Sequence, residues 1–254
     1  HSFPTRRSSD LALCLEGYLM RKIECVVIAA GGLGTRVRKI LGDCPKIIAP
    51  IDEIPFLHLV LDEFEQQGIN RFHLLLGYRA AEILKSVEQW KKKNQTRKNI
   101  IISATVEGIQ MGPWNALILA EKFLPRNFLM TYGDVFPTVN LKKIEDIVTD
   151  KDDGCMCLCH KKDTCEFANV KMNTEGKIIC YSNTEESDFV DIGAILLNKN
   201  IFYDKYNSDK NILGQIVENK SIKGLVYDKP SKHIGTPEAY FDFINWYRRE
   251  KRNV

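Results

Sequence analysis

The segment Gly31-Gly32-Leu33-Gly34-Thr35-Arg36 directly follows the apolar run Ile23 to Ala29, and Pro45-Lys46 comes soon after. A glycine-rich turn at the end of a buried strand lets backbone N–H groups close on anionic oxygens, because no Cβ blocks the approach. Arg36 adds a planar fork of donors and Lys46 a point charge, the two cationic side chains suited to a polyphosphate. Ala30, Gly31, Gly32, Leu33, Gly34 and Thr35 are therefore read as the backbone cradle of a nucleotide's phosphates. A dinucleotide fingerprint is disfavoured, since Val37 stands where G-x-G-x-x-G needs its third glycine. The Gly-Lys-Ser/Thr of a Walker loop is absent.

A second chemical group is Asp134, in Tyr132-Gly133-Asp134, just beyond the apolar stretch Phe128 to Thr131. A carboxylate at a strand's carboxyl end, facing a phosphate loop on the same edge, can hold Mg2+ while substrate phosphates complete the shell. The eight cysteines suggest no further metal site. Cys155, Cys157 and Cys159 alternate with period two, which in a strand puts three small thiols on one face against a core. Structural zinc favours C-x2-C knuckles on turns instead.

These groups need a frame to hold them. After the first strand, Pro55 to Gln67 reads as an amphipathic helix closing on Gly68. Arg71 to Gly77 reads as a second strand, Ala80 to Lys92 as a second helix and Lys91 to Gln95 as a solvated loop. Ile100 to Val106, Trp114 to Phe123 and Phe128 to Thr131 continue as strand, helix and strand. Such βαβ succession implies an α/β fold with a Rossmann-like, doubly wound sheet whose ligands gather at the carboxyl ends of its strands. The second half changes character. Cys155 to Cys159, Ala168 to Met172, Ile178 to Tyr181 and Phe189 to Leu197 read as strands joined by short turns such as Thr174-Glu175-Gly176. They suit a β-rich mixed extension over the open end of the sheet, where an acceptor substrate could lie. Pro237 to Arg249 reads as a final helix with proline in its first turn.

A chain of 254 residues, 44% hydrophobic and 27% charged, is ordinary for one large globular domain. A net charge of +3 implies neither nucleic acid nor a membrane as partner. Residues 1–19 look adapter-derived rather than native, so Met20 is the expected start and 20–254 the expected domain. Glu16 and Gly17 interrupt any secretory core, which makes a cytoplasmic location the expectation, with free thiols. Nothing in the sequence decides whether the protein forms a homo-oligomer.

The stretch Ala29 to Pro50 closely resembles the sugar-1-phosphate nucleotidyltransferases, and the resemblance runs, more weakly, through the rest of Met20 to Val254. Heptose- or mannose-1-phosphate guanylyltransferases and glucose-1-phosphate cytidylyltransferases are the most similar members. The resemblance implies a GT-A-like fold and transfer of a nucleotidyl group from an NTP to a sugar 1-phosphate. It gives Arg36, Lys46 and Asp134 the catalytic roles, with Asp134 on Mg2+. In Glu107-Gly108-Ile109-Gln110-Met111-Gly112 it places Glu107 and Gly112 at the nucleobase. A carboxylate only accepts hydrogen bonds, which favours the donor-rich edges of guanine or cytosine, hence GTP or CTP. Pro113-Trp114-Asn115 departs from the family pattern, and Trp114 is read equally as a core residue or a base-stacking one. By the same resemblance Asn169, Asn183, Asp191 and His233 line the acceptor pocket. His233 stands where the family often has a second acidic metal ligand, and Asn183 where it has a phosphate-binding lysine. His233 is thus open to three roles: metal ligand, acceptor-phosphate contact or structural histidine. These departures keep open a regulatory sugar-nucleotide-binding paralogue, or an enzyme for a non-sugar phosphate.

Overall fold

The computed structural model describes residues 22–93, 95–108, 111–164, 166–182 and 187–252. The first strand, β1 (Cys25–Ala30), leads through the glycine loop into a one-turn helix α1 (Arg38–Leu41). A small hairpin of β2 (Pro50–Ile51) and β3 (Ile54–Pro55) precedes α2 (Phe56–Gln66). Then come β4 (Arg71–Leu76), α3 (Ala80–Lys93), β5 (Ile101–Val106), α4 (Pro113–Leu119) and β6 (Asn127–Tyr132). The later elements are β7 (Val135–Phe136), α5 (Leu141–Ile147), β8 (Gly154–His160), β9 (Val170–Met172), β10 (Ile178–Tyr181) and β11 (Phe189–Asn198). The chain closes with α6 (Ile212–Asn219), β12 (Ile222–Tyr227), β13 (Lys232–His233) and α7 (Pro237–Arg252).

Strands β6, β1, β4 and β5 lie side by side and parallel, as the alternation of strand and helix requires. β11 then pairs antiparallel with β6, and β8 and β9 pair antiparallel with β11, giving one mixed nine-stranded sheet. The β-rich extension expected from the sequence is therefore a continuation of the same mixed sheet. β11 makes this possible, because its ten residues are long enough to serve β6 along one edge and β8 and β9 along the other.

Helices cover both faces, so the sheet is doubly wound. On one face Phe56, Phe64, Ile83, Trp90, Ile144 and Phe243 pack with inward residues of the sheet. On the other, Leu117, Leu213, Ile216 and Val217 do so. Cys155, Cys157 and Cys159 lie on the first face and Met156 and Leu158 on the second, the period-two pattern expected of a strand. Burial pushes the Cys155 thiol up to about 12 and Cys159 up to about 11, and raises Cys157 well above its usual range. All three remain protonated core groups at neutral pH.

Three helices were not expected from the sequence, the one-turn α1, α5 and α6. α5 and α6 each begin at an asparagine whose side chain accepts a backbone N–H of the first turn, Asn140 from Lys143 and Asn211 from Gly214. Lys91 to Lys93 end α3 rather than starting a loop, and Gln95–Asn99 form a 3-10 turn. The third helix stops at Leu119, and a 3-10 turn Glu121–Phe123 follows it. The strand expected from Ala168 starts at Val170.

Candidate active site

The parallel strands deliver their chemistry to one edge. The glycine loop leaves β1, Gly77 follows β4, Glu107 follows β5, and Gly133-Asp134 follows β6. Gly133 is required by packing: its N–H donates to Ala29 O at 2.8 Å, and a Cβ would sit 2.8 Å from that same oxygen. Only glycine lets the turn after β6 press against β1, which brings Asp134 up to the phosphate loop. Ile234 N–H donates to Asp134 O at 2.8 Å, and β13 pairs with β7, so the chain is pinned on both sides of the carboxylate.

Lys46 opens a 3-10 turn whose buried Ile47 anchors it in the core. Its Nζ reaches Asp134 Oδ2 at 2.5 Å, and each side chain is 20% exposed. Cation and carboxylate, 88 residues apart in sequence, thus form one charged centre. Gly34 has φ +61°, a left-handed turn that suits glycine, and it lies against the Lys46 stem. Gly32 faces open space, as a phosphate-binding backbone would. Gly31 has a different constraint, since a Cβ there would overlap Glu107 Oε1. Ala30 is buried beneath the loop, packed on Gly133.

Two cavities meet at this centre. A smaller one of about 170 Å3 is lined by Gly31, Gly32, Glu107, Gly112, Tyr132 and Asp134 among others. Glu107 Oε2 accepts Met111 N–H at 3.1 Å, which holds the segment that ends at Gly112. Gly112, at φ +82°, turns the chain into α4. A larger cavity of about 500 Å3 is lined by Arg36, Asp134, Glu166, Asn169, Tyr181, Asp191 and His233 among others. Asn169, Asp191 and His233, separated in sequence, therefore meet in one cavity. Arg36 is exposed and lines this larger cavity rather than the smaller one. Asn183 lies outside the described residues.

His233 Nδ1 accepts Gly235 N–H at 3.2 Å, which leaves the ring proton on Nε2, 3.2 Å from Glu166 Oε1. The Nδ1 lone pair is thus occupied, and Nε2 faces the Glu166 carboxylate. Trp114 packs partly buried against the second core cluster, the core role the sequence left open. Tyr132, Tyr181 and Glu166 were not singled out from sequence, because an aromatic residue at a strand end carries no chemical signature by itself.

For Mg2+ the residues fit a site completed by substrate. Asp134 Oδ1 makes no hydrogen bond among the described residues, and this oxygen is free for a cation. Among the described residues no group of three or more His, Cys, Asp or Glu is placed to hold a metal. One carboxylate with phosphate oxygens and water is an ordinary shell for Mg2+.

A parallel sheet with a glycine loop, a Lys–Asp centre and paired cavities at its carboxyl edge defines a nucleotidyl-transfer fold. The chain belongs to the nucleotidyl transferase family, whose profile matches residues 25–249. It is 26% identical over 224 residues to a D-glycero-alpha-D-manno-heptose 1-phosphate guanylyltransferase of Campylobacter jejuni, covering 86% of this chain and 97% of that one. A protein of the same description from Aneurinibacillus thermoaerophilus is 26% identical over 223 residues, covering 84% and 94%. The crystal structure of HddC from Yersinia pseudotuberculosis complexed with GMP-PN superposes with a TM-score of 0.74 at 24% identity, over 89% of this chain and 100% of that one. No helix among the described residues is long and apolar enough to cross a membrane.

Proposed function

We propose that the chain transfers a nucleotidyl group from an NTP, GTP favoured over CTP, to a sugar 1-phosphate, releasing pyrophosphate. The central support is the shared wall: Asp134, paired with Lys46, borders both the cavity of the glycine loop and the cavity of Asn169 and Asp191. A reaction joining two phosphates needs such a meeting point. Names of the curated relatives, both heptose 1-phosphate guanylyltransferases, favour a heptose or hexose 1-phosphate and GTP. Guanine presents N1–H and N2–H2 side by side, a match for a carboxylate such as Glu107, whereas cytosine offers only N4–H2.

An oxygen of the acceptor's phosphate attacks the α-phosphorus in line, that P–O bond forms, and the bond to the pyrophosphate oxygen breaks. The attacking oxygen is already anionic, so no general base is needed. Lys46 sits where it can bridge the α-phosphate and the incoming phosphate, and the loop amides, with Arg36, neutralise charge on the phosphates. Mg2+ at Asp134 would supply further charge neutralisation on phosphate oxygens. Asn169 and Asp191 orient the acceptor.

The test is a screen of four NTPs against sugar 1-phosphates and non-sugar phosphates, read as pyrophosphate release. Turnover with GTP or CTP and a sugar 1-phosphate is expected. Nucleotide binding without turnover on any acceptor would replace this reading with a regulatory paralogue.

A further inference from the structure

The floor of the larger cavity is a connected set of hydrogen bonds centred on the Tyr181 hydroxyl. It donates to Asp191 Oδ2 at 3.4 Å and accepts from Asn169 Nδ2 at 3.3 Å. A phenol oxygen has one proton and two lone pairs, so its proton and one lone pair are used here, on two neighbours that fix its place. Asp191 is held from its other side as well, Oδ1 accepting Gly193 N–H at 2.8 Å and its own N–H donating to Asn169 Oδ1 at 3.1 Å. Each carboxylate oxygen has a lone pair left over, and the residue lines the cavity.

We propose that Tyr181 is a positioning residue that fixes the Asp191 carboxylate to receive an acceptor hydroxyl. This rests on the sugar 1-phosphate reading above. A rigid carboxylate that only accepts hydrogen bonds selects a hydroxyl over a ring hydrogen or an ether at the matching position.

Asp191 is faced by Tyr181 from β10, Tyr132 from β6, the Cys157 and Cys159 thiols from β8, and Glu166 from the segment before β9. Burial pushes its carboxyl up to about 6, against which Gly193 N–H and the Tyr181 hydroxyl stabilise the ionised form. Loss of the Tyr181 donor therefore moves the carboxyl further up.

The experiment compares wild type and Tyr181→Phe with saturating NTP and varied sugar 1-phosphate. Tyr181→Phe is expected to raise the acceptor KM about tenfold or more, the loss of one hydrogen bond to a charged group, while the NTP KM stays within about twofold. The acidic limb of kcat/KM for the acceptor should move to higher pH in the same variant, a shift that loss of packing alone would not produce. A monodeoxy acceptor lacking the recognised hydroxyl should lose its disadvantage in Tyr181→Phe. An unchanged acceptor KM and pH limb in folded Tyr181→Phe overturns the proposal, and if that variant does not fold, equal wild-type kcat/KM for the parent acceptor and every monodeoxy acceptor does so. Wild-type turnover decides the functional reading separately: activity with an unaltered variant refutes only the role of Tyr181, and an inert wild type refutes both.

Discussion

Lys46→Met removes the cation of the shared centre while keeping most of its stem. In the free protein Lys46 Nζ lies 2.5 Å from Asp134 Oδ2, with each side chain 20% exposed. Unit charges 4 Å apart at an effective dielectric of 20 attract by about 4 kcal/mol, much of which is offset by desolvation. An exposed pair contributes about 0–1 kcal/mol, and breaking a buried one costs about 3–5. This pair lies between those limits, so a stability loss of about 1–3 kcal/mol is expected, read from urea unfolding. The catalytic loss should be larger in effect, because charge on the phosphates is greatest in the transition state. Removing one charge-stabilising group costs about 3 kcal/mol, or roughly a hundredfold in kcat. The decisive comparison adds Asp134→Asn and the double variant, assayed by pyrophosphate release and by unfolding. If the pair were only structural, the double variant would recover activity because no charge is left unpaired. With catalytic roles for both, the double variant is no faster than the slower single one. Lys46→Met with kcat within about threefold of wild type, or recovery in the double variant, would refute the assignment.

Asp134→Asn should abolish Mg2+-dependent turnover, and His233→Asp should alter the Mg2+ dependence by less, because His233 Nδ1 already accepts Gly235 N–H and Nε2 faces Glu166; titrating activity against Mg2+ checks both. Gly31→Ala should raise the NTP KM by about tenfold or more with little loss of fold, since the new Cβ displaces only the end of the Glu107 side chain; isothermal titration with NTP measures it. Burial pushes His73 down to about 4, so the folded state binds fewer protons there than the unfolded chain, and its contribution is lost as pH falls from 6.5 to 4. Asp191, raised to about 6, acts the opposite way and relieves a cost over an overlapping range. Each is worth at most about 3 kcal/mol, so Asp191→Asn should steepen acid destabilisation and His73→Gln should reduce or reverse it. Equal slopes of unfolding free energy against pH in all three proteins would contradict this.

Much of the nucleotide half was legible in the sequence. The glycine loop, Arg36, Lys46 and the Gly-Asp turn are local signals, because backbone approach and charge type are properties of adjacent residues. β1, β4, β5 and β6 announced themselves by apolar runs and intervening amphipathic segments, and the thiol alternation in Cys155 to Cys159 predicted its own burial. Helices α5 and α6 were legible only in hindsight, through Asn140 and Asn211 at their caps. The tertiary structure alone decided what those local pieces meet. It joined the β-rich half to the sheet through β11, whose pairing with β6 no local pattern specifies. It set Lys46 on Asp134, gave Gly31 its constraint from Glu107, and placed His233 between Gly235 and Glu166. It also brought Asn169, Tyr181 and Asp191 into one hydrogen-bonded set. Hydrogen bonds and ion pairs between distant segments depend on strand order and register, and these are settled only when the whole sheet closes its two cores.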